Sequence, residues 1–471
     1  VGINSVEQYI GDTAIEKGLG FEAGPDTGKK VAIVGGGPAG LAAAYQLRRK
    51  GHACTIFEAN DALGGMFKFG IPGYRVPRDK LDSEIQRIID MGVEVKLKTK
   101  VGTDVAVEDL ERDYDAVLWG IGCQSGRGLP VPGWEGTPNC VSGVAFLKAF
   151  NEGRMKVTAD KVVCIGGGDT SIDVVSVARR IGHIQHTKPS DLPETIIHDG
   201  YVAHDTAVTA AAQGAEVTLT SLFPRAKMMA AEHEVHDALT EGVTILDGVM
   251  PTEVLLGDDG RAKGLKVCDC TMDGMKPVPV EGTERILDAD LIVAAIGQGG
   301  DMTGLEGLDN GRGLMNADKF YQVPDKPGHF VAGDIIRPHL LTTAIGQASI
   351  AADSIDEYLK QAPHKRRPKV DVHHFNLLKK MEEAHLAPEQ FSVEAQGDLR
   401  GTSGGNWAIH NYEDRSSAEI IPHDELFLGH FKFHARNLRK EEVPSADDVL
   451  GHFKERVIGL SEAEASDEAK R

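Results

Sequence analysis

A chain of 471 residues is longer than one ordinary domain, and 41% apolar residues suffice for packed cores, so global disorder is excluded. A formal net charge of −20 argues against a nucleic-acid or anionic-membrane partner. No run approaches ~18 consecutive apolar residues, and Val1-Gly2-Ile3-Asn4 opens neither a basic nor an apolar stretch, so no membrane span or secretory leader is expected and a cytoplasmic location is read.

Residues 1–27 read as a short arm ending in the turn-rich Ala23-Gly24-Pro25-Asp26-Thr27-Gly28. The apolar run Val31–Val34 then meets Gly35-Gly36-Gly37-Pro38-Ala39-Gly40, a helical Leu41–Arg49 and a second strand, Ala53–Phe57. Strand, glycine turn, helix and strand make a βαβ unit. In Gly35-x-Gly37-x-x-Gly40 the glycines permit a tight turn, backbone approach to a pyrophosphate and close helix–strand packing. The helix N-terminus then offers free N–H groups to the phosphates. Glu58, eighteen residues beyond Gly40, stands where an acidic residue holds a ribose.

The pattern recurs with the strand Lys161–Ile165, the turn Gly166-Gly167-Gly168-Asp169-Thr170-Ser171 and the helix Ile172–Arg180. Ser171 replaces the third glycine, so this turn is a looser match. A His/Pro/Asp-rich segment near 182–206 reads as a surface insertion before the strand Glu216–Leu222. Val267–Val280 reads as a hairpin around Asp273-Gly274, and the strands Ala289–Ile296 and His329–Ala332 run into Gly297 and Gly333.

After Pro363 the texture becomes charged and histidine-containing. Ser445–Asp448 reads as a helix cap followed by an apolar face of Val449, Leu450, Phe453, Val457 and Leu460, and Ser461–Arg471 reads as a frayed end. The pairs His183/His186, His233/His236 and His373/His374 read as solvated or capping residues, and no metal is expected.

Glycine, at 55 residues, is well above the usual ~7%, and it clusters at strand ends where backbone approaches a ligand. Six cysteines without any CxxC form neither a disulfide framework nor an iron–sulfur ligand set nor a redox dithiol. Cys54 and Cys164 read as small buried hydrophobes, and Cys268 and Cys270 as neighbours on one strand face.

The stretch Leu63-Gly64-Gly65-Met66-Phe67-Lys68-Phe69-Gly70-Ile71-Pro72-Gly73-Tyr74-Arg75-Val76-Pro77 resembles the FAD-binding signature of the glutamate synthase small-subunit family. The resemblance covers about residues 3–360 and includes Ile3–Ile10, Gly166–Asp173, Ala295-Ile296-Gly297-Gln298, Gly333-Asp334 and Thr343–Gln347, in the family's order. It implies an α/β protein with two Rossmann-like nucleotide-binding domains, a two-dinucleotide-binding flavoprotein with an N-terminal arm and a C-terminal extension.

The expected division is an arm at 1–27, an FAD domain at 28–150 and 297–362, a pyridine-nucleotide domain at 151–296 and a docking extension at 363–471. By the resemblance, Gly35, Gly37, Pro38, Ala39 and Gly40 hold the FAD pyrophosphate, Glu58 and Ala59 the adenosine ribose, and Val101 the adenine. Gly64, Gly65, Met66, Arg75 and Gly122 belong to the flavin side, where Gly333-Asp334 meets the ribityl chain and Thr343, Ala344 and Ile345 open a helix toward the pyrimidine edge. Gly166, Gly168, Asp169, Thr170, Ser171, Arg225, Ile296 and Gly297 serve the second nucleotide.

Three departures from the family shape the functional expectation. The Tyr-Arg-Arg motif that grips a 2′-phosphate is replaced by Ser221-Leu222-Phe223-Pro224-Arg225, which favours NAD(H) over NADP(H). Glutamate synthase small subunits carry a cysteine-rich N-terminal domain that would end where this sequence begins, so by the resemblance electrons leaving the flavin are expected to meet iron–sulfur centres on a partner subunit. The segments 182–206 and 363–471 add surface for docking into a larger complex. The reading is an FAD-dependent NAD(P)H:acceptor oxidoreductase subunit without a catalytic side chain, in a 2-oxoacid:NAD oxidoreductase, a glutamate synthase or a bifurcating transhydrogenase. An assembly flavoprotein is the rival from another class.

Overall fold

The computed structural model describes residues 2–152, 159–181, 215–274, 276–364, 407–411, 428–432, 437–449 and 457–469. The chain forms two compact units: Gly18–Lys365 with Glu441–Val457, and Val1–Lys17 with Arg366–Lys440 and Ile458–Arg471.

In the larger unit, the apolar run Lys30–Val34 is buried from Val31 onward because it lies at the centre of a fully parallel sheet. The strand order is His329–Val331, Ala116–Trp119, Lys30–Val34, Ala53–Phe57, Glu94–Lys96. Helices Pro38–Arg49 and Leu341–Leu359 cover one face, and their contact is built from small residues, Ala43 and Ala44 against Ala348, Ala351 and Ala352. Trp119, Met302, Leu305 and Leu308 fill the other face. The strand His329–Val331 arrives after the whole second fold, so that fold is an insertion into the first.

The second sheet is also parallel, in the order Cys140–Ser142, Leu291–Ala295, Lys161–Gly166, Glu216–Ser221, Thr244–Asp247. Cys140–Ser142 thus belongs to the second fold, against the expected boundary at 150. Three residues between a glycine-containing loop and the helix Gly143–Asn151 carry no readable strand period. The hairpin around Asp273-Gly274 pairs Asp273 with Lys276, and its long strand begins earlier, at Ala262. The chain passes between the folds at a two-residue antiparallel crossing, Ser125–Gly126 with Gln298–Gly299.

The smaller unit revises the termini. Ile3–Glu16 is a helix, and Glu462–Ala469 is a second one rather than a frayed end. Ser461 and Glu464 form a reciprocal capping box, and buried Glu468 accepts the Gly2 and Asn437 N–H groups at 2.6 and 2.8 Å. The helix expected from Val449 through Leu460 is replaced by extended backbone at Val457–Ile458, while Leu450 and Phe453 lie outside the described residues. So do the 182–206 insertion, His183/His186, His373/His374 and most of the extension.

Under the second sheet, Arg180 and Glu241, at 1% and 0% exposure, form a two-pronged ion pair at 2.7 and 2.6 Å. Removing one partner leaves a buried charge uncompensated, so Glu241→Ala should lower the urea-unfolding free energy by about 3–5 kcal/mol. A loss under about 1 kcal/mol, the range of an exposed pair, would contradict this burial.

Candidate functional site

The strand Lys30–Val34 runs into Gly35, whose φ of 103° favours a residue without a side chain. Helix Pro38–Arg49 starts with proline at its first position and Gly37 as a cap that uses no side chain, so its first N–H groups stay available. A Cβ on Gly40 would overlap the Gly35 carbonyl oxygen, which explains the third glycine of the motif. At the end of the next strand, buried Glu58 accepts the Gly36 N–H on Oε2 at 2.7 Å. Its Oε1 accepts both the backbone N–H and Nδ2 of Asn60, each at 2.7 Å.

A cavity opens over this turn. Glu58, Ala59, Asn60, Thr99 and Val101 line one group of walls; Gly35, Gly37, Pro38, Ala39, Gly65 and Met66 line another. Gly122, Gln124, Gly333, Asp334, Leu341 and Ala344 line a third. Helix Leu341–Leu359 starts against the cavity without a side-chain cap, two residues before the expected Thr343. A carboxylate, a glycine turn at a helix N-terminus, a second carboxylate and a second helix N-terminus fit an extended dinucleotide.

Five expected residues are not among the lining. Gly40 supports the turn from behind, and Gly64 donates its N–H to the Gly36 carbonyl at 2.8 Å. Thr343 Oγ1 shares a hydrogen bond with His339 Nδ1 at 2.9 Å, Ile345 is exposed, and Arg75 bonds to Asp173 and Glu234. The walls also include unforeseen polar residues: Lys148, whose Nζ donates to Asn60 Oδ1 at 2.8 Å, Gln124, and the Lys100–Asp301 pair at 2.6 Å. Asn60 lay legible beside Glu58, whereas Lys148 comes from helix Gly143–Asn151 and carries no local signal. Burial raises the Asp334 carboxyl above the ordinary range, against the His339 N–H that it accepts.

The second turn is built differently. Ser171, fully buried at the third-glycine position, returns its hydroxyl to the Gly168 carbonyl at 2.6 Å, and the helix starts at Asp169. Space above Gly168 is open. The Gly167 carbonyl accepts the Met229 and Ala230 N–H groups at 2.8 and 2.9 Å, which stitches the turn to the segment after Ser221. That segment carries Arg225 and Lys227 in one 3₁₀ turn. Ile296 and Gly297 follow the strand Leu291–Ala295, where the Gly297 carbonyl accepts the Arg127 N–H at 3.0 Å. Among the described residues, no group of three or more His, Cys, Asp or Glu could hold a metal ion, and no helix is long and apolar enough to cross a membrane.

The model of a family described as pyridine nucleotide-disulphide oxidoreductases matches residues 29–348. The chain is 39% identical over 346 residues to the NADP(+)-dependent formate dehydrogenase subunit beta of Moorella thermoacetica, covering 71% of this chain and 44% of that one. It is 34% identical over 380 residues to the glutamate synthase (NADPH) small chain of Mycobacterium tuberculosis, covering 76% and 73%. The chain thus spans under half of the length of the first relative and about three quarters of the second. The Mycobacterium tuberculosis FprA structure in complex with NADPH shares the fold at a TM-score of 0.58, with 16% identity over 78% of this chain and 88% of that one.

The sequence carries no CxxC pair. All six cysteines are free, and burial pushes Cys54, Cys123 and Cys140 up to about 12, with the Asp334 charge adding to the rise at Cys123. A thiol reagent at pH 8 should therefore modify none of them rapidly in the folded protein and all six after unfolding in urea. A fast-reacting pair in the folded protein would contradict this.

Proposed function

The chain belongs to the pyridine nucleotide-disulphide oxidoreductase family, and on that premise we propose that it is the flavin subunit of a cytoplasmic multi-subunit enzyme, moving electrons between NAD(P)H and iron–sulfur centres of a partner. The observation that carries this reading is the pair of glycine turns at the carboxyl ends of two parallel sheets within one compact unit. Similarity to proteins named as a subunit beta and a small chain supports a role inside a larger assembly.

FAD, when bound, supplies hydride exchange with a nicotinamide and single-electron exchange with a partner. The protein supplies binding and electrostatics. Glu58 would take the adenosine ribose hydroxyls, and the N–H groups at Gly37 and the start of helix Pro38–Arg49 the pyrophosphate. Asp334 would take the ribityl hydroxyls. The N-terminus of helix Leu341–Leu359 would place partial positive charge at the pyrimidine edge. We assign the sheet that contains Lys30–Val34 and His329–Val331 to FAD, and the sheet from Cys140 to Ala295 to the pyridine nucleotide.

Anaerobic addition of NADH or NADPH to the flavin-loaded chain should bleach the flavin absorbance; no bleaching by either would overturn the proposal. The order of the two rates assigns the second site. Faster bleaching by NADPH gives Arg225 and Lys227 to a 2′-phosphate, and faster bleaching by NADH gives Ser221 to a free 2′-hydroxyl. Glu58→Ala should weaken FAD binding by about 10- to 100-fold, since a hydrogen bond to a charged group contributes about 1.5–3 kcal/mol. Unchanged FAD affinity by fluorescence titration would place the adenosine elsewhere. Purification from the native source should bring an iron–sulfur polypeptide with the chain, and isolation of the chain alone would contradict the partner.

A further inference from the structure

None of Ile71–Pro77, the second half of the flavin-signature stretch, lines the first cavity. The segment reaches the other fold instead. Tyr74, 3% exposed, sits in the core of the second sheet with Phe146, Phe150 and Val174, and the Arg180 guanidinium lies 4.3 Å from its ring. Arg75 spreads its two terminal nitrogens between Asp173 of helix Asp169–Ile181 and Glu234 of helix Glu232–Thr240. Arg78 bonds the Phe67 carbonyl at 2.8 Å and Asn151 Oδ1 at 2.9 Å, and Asn151 Nδ2 returns to the Phe69 carbonyl at 3.0 Å. The stretch that follows Gly65 and Met66 on the cavity wall is therefore anchored to the second fold at Tyr74, Arg75 and Arg78.

The anchoring bears on geometry because the chain crossing is thin. Ser125–Gly126 against Gln298–Gly299 is a ladder of two residue pairs, too short to fix the angle between two folds. Asp173 lies one helical turn past Asp169, where the helix begins, and two residues past Ser171, so holding Asp173 holds that turn. The ions are costly if separated. Burial pushes the Asp173 carboxyl up to about 6 against the pull of Arg75, and burial likewise raises Glu234. Glu234 Oε2 is buried with no hydrogen-bond partner among the described residues. Arg75 is the cation bridging both carboxylates, and a planar fork reaches two helices where an ammonium reaches one.

We propose that Arg75 is a positioning residue that locks the second nucleotide fold at the orientation in which the Gly166–Ser171 turn serves the flavin cavity, and so sets the rate of hydride transfer without touching either nucleotide. The rate clause rests on the electron-transfer reading above; the lock itself does not.

The test uses the flavin-loaded full chain and three variants, Arg75→Met, Arg75→Lys and Glu234→Gln. Stopped-flow bleaching over a range of NADPH or NADH concentrations separates the limiting rate from the nucleotide dissociation constant. Hydrogen exchange reports on residues 70–77, 169–173 and 232–240. Arg75→Met should lower the limiting rate about tenfold or more and change the dissociation constant less than about threefold, because misplacement costs rate rather than binding. Exchange should rise in all three segments, with Arg75→Lys falling between Met and wild type. A limiting rate within about twofold of wild type, or a raised dissociation constant with unchanged exchange, would overturn the proposal. If Arg75→Met does not fold, Glu234→Gln, which keeps the Asp173 contact, carries the test with a fall of about two- to fivefold, and unchanged rate and exchange there overturn it. A wild-type chain bleached by neither nucleotide refutes the electron-transfer reading, while the exchange comparison still decides the lock.

Discussion

The backbone contact at Gly35 and Gly40 is the constraint on which the first site depends. The helix can start above the end of the central strand only if nothing stands between Gly40 and the Gly35 carbonyl oxygen, and any Cβ would. That close approach aims the uncapped N–H groups of helix Pro38–Arg49 over the strand end. It also leaves the Gly36 N–H for Glu58, which orients the carboxylate on the cavity wall. The second turn reaches a similar end by another route. Ser171 keeps a Cβ, turns its hydroxyl back on the Gly168 carbonyl and leaves the space above Gly168 open.

A chain with a net charge of −20 built to hold two anionic nucleotides must solve its electrostatics locally. At the first cavity, backbone dipoles are the candidate means more than unpaired side-chain cations. Helices Pro38–Arg49 and Leu341–Leu359 both start at the first cavity without a capping side chain, so their first N–H groups remain for a ligand. Lys148 is held by Asn60, and Lys100 by Asp301. Cations are spent inside the protein instead, where Arg75 and Arg180 offset buried carboxylates of the second fold. The bulk charge keeps its separate role in solubility.

Much of this was legible because it is local. The first βαβ unit, Glu58 and the Asp273-Gly274 hairpin follow from apolar runs and glycine spacing within about thirty residues, the second unit from its strand, turn and helix, and Gly333-Asp334 from the family resemblance. The features that stayed hidden are long-range. Lys148 reaches Asn60 across 88 positions, and Arg75 reaches Glu234 across 159, with no periodicity linking them. The three-residue strand Cys140–Ser142 is defined by its neighbours rather than by its own pattern. The last helix looked solvated because Glu468 reads as a surface charge, until two backbone N–H groups from 31 and 466 positions away converge on its carboxylate.

The central claim is that one chain holds two different dinucleotides at two separate turns. Nucleotide stoichiometry on the purified protein tests it most directly. The chain should release one FAD on denaturation, and the folded chain should bind one further equivalent of NADPH or NADH by titration calorimetry while keeping its FAD. A chain that retains no FAD, or whose FAD is displaced by the pyridine nucleotide, would contradict the two-site account.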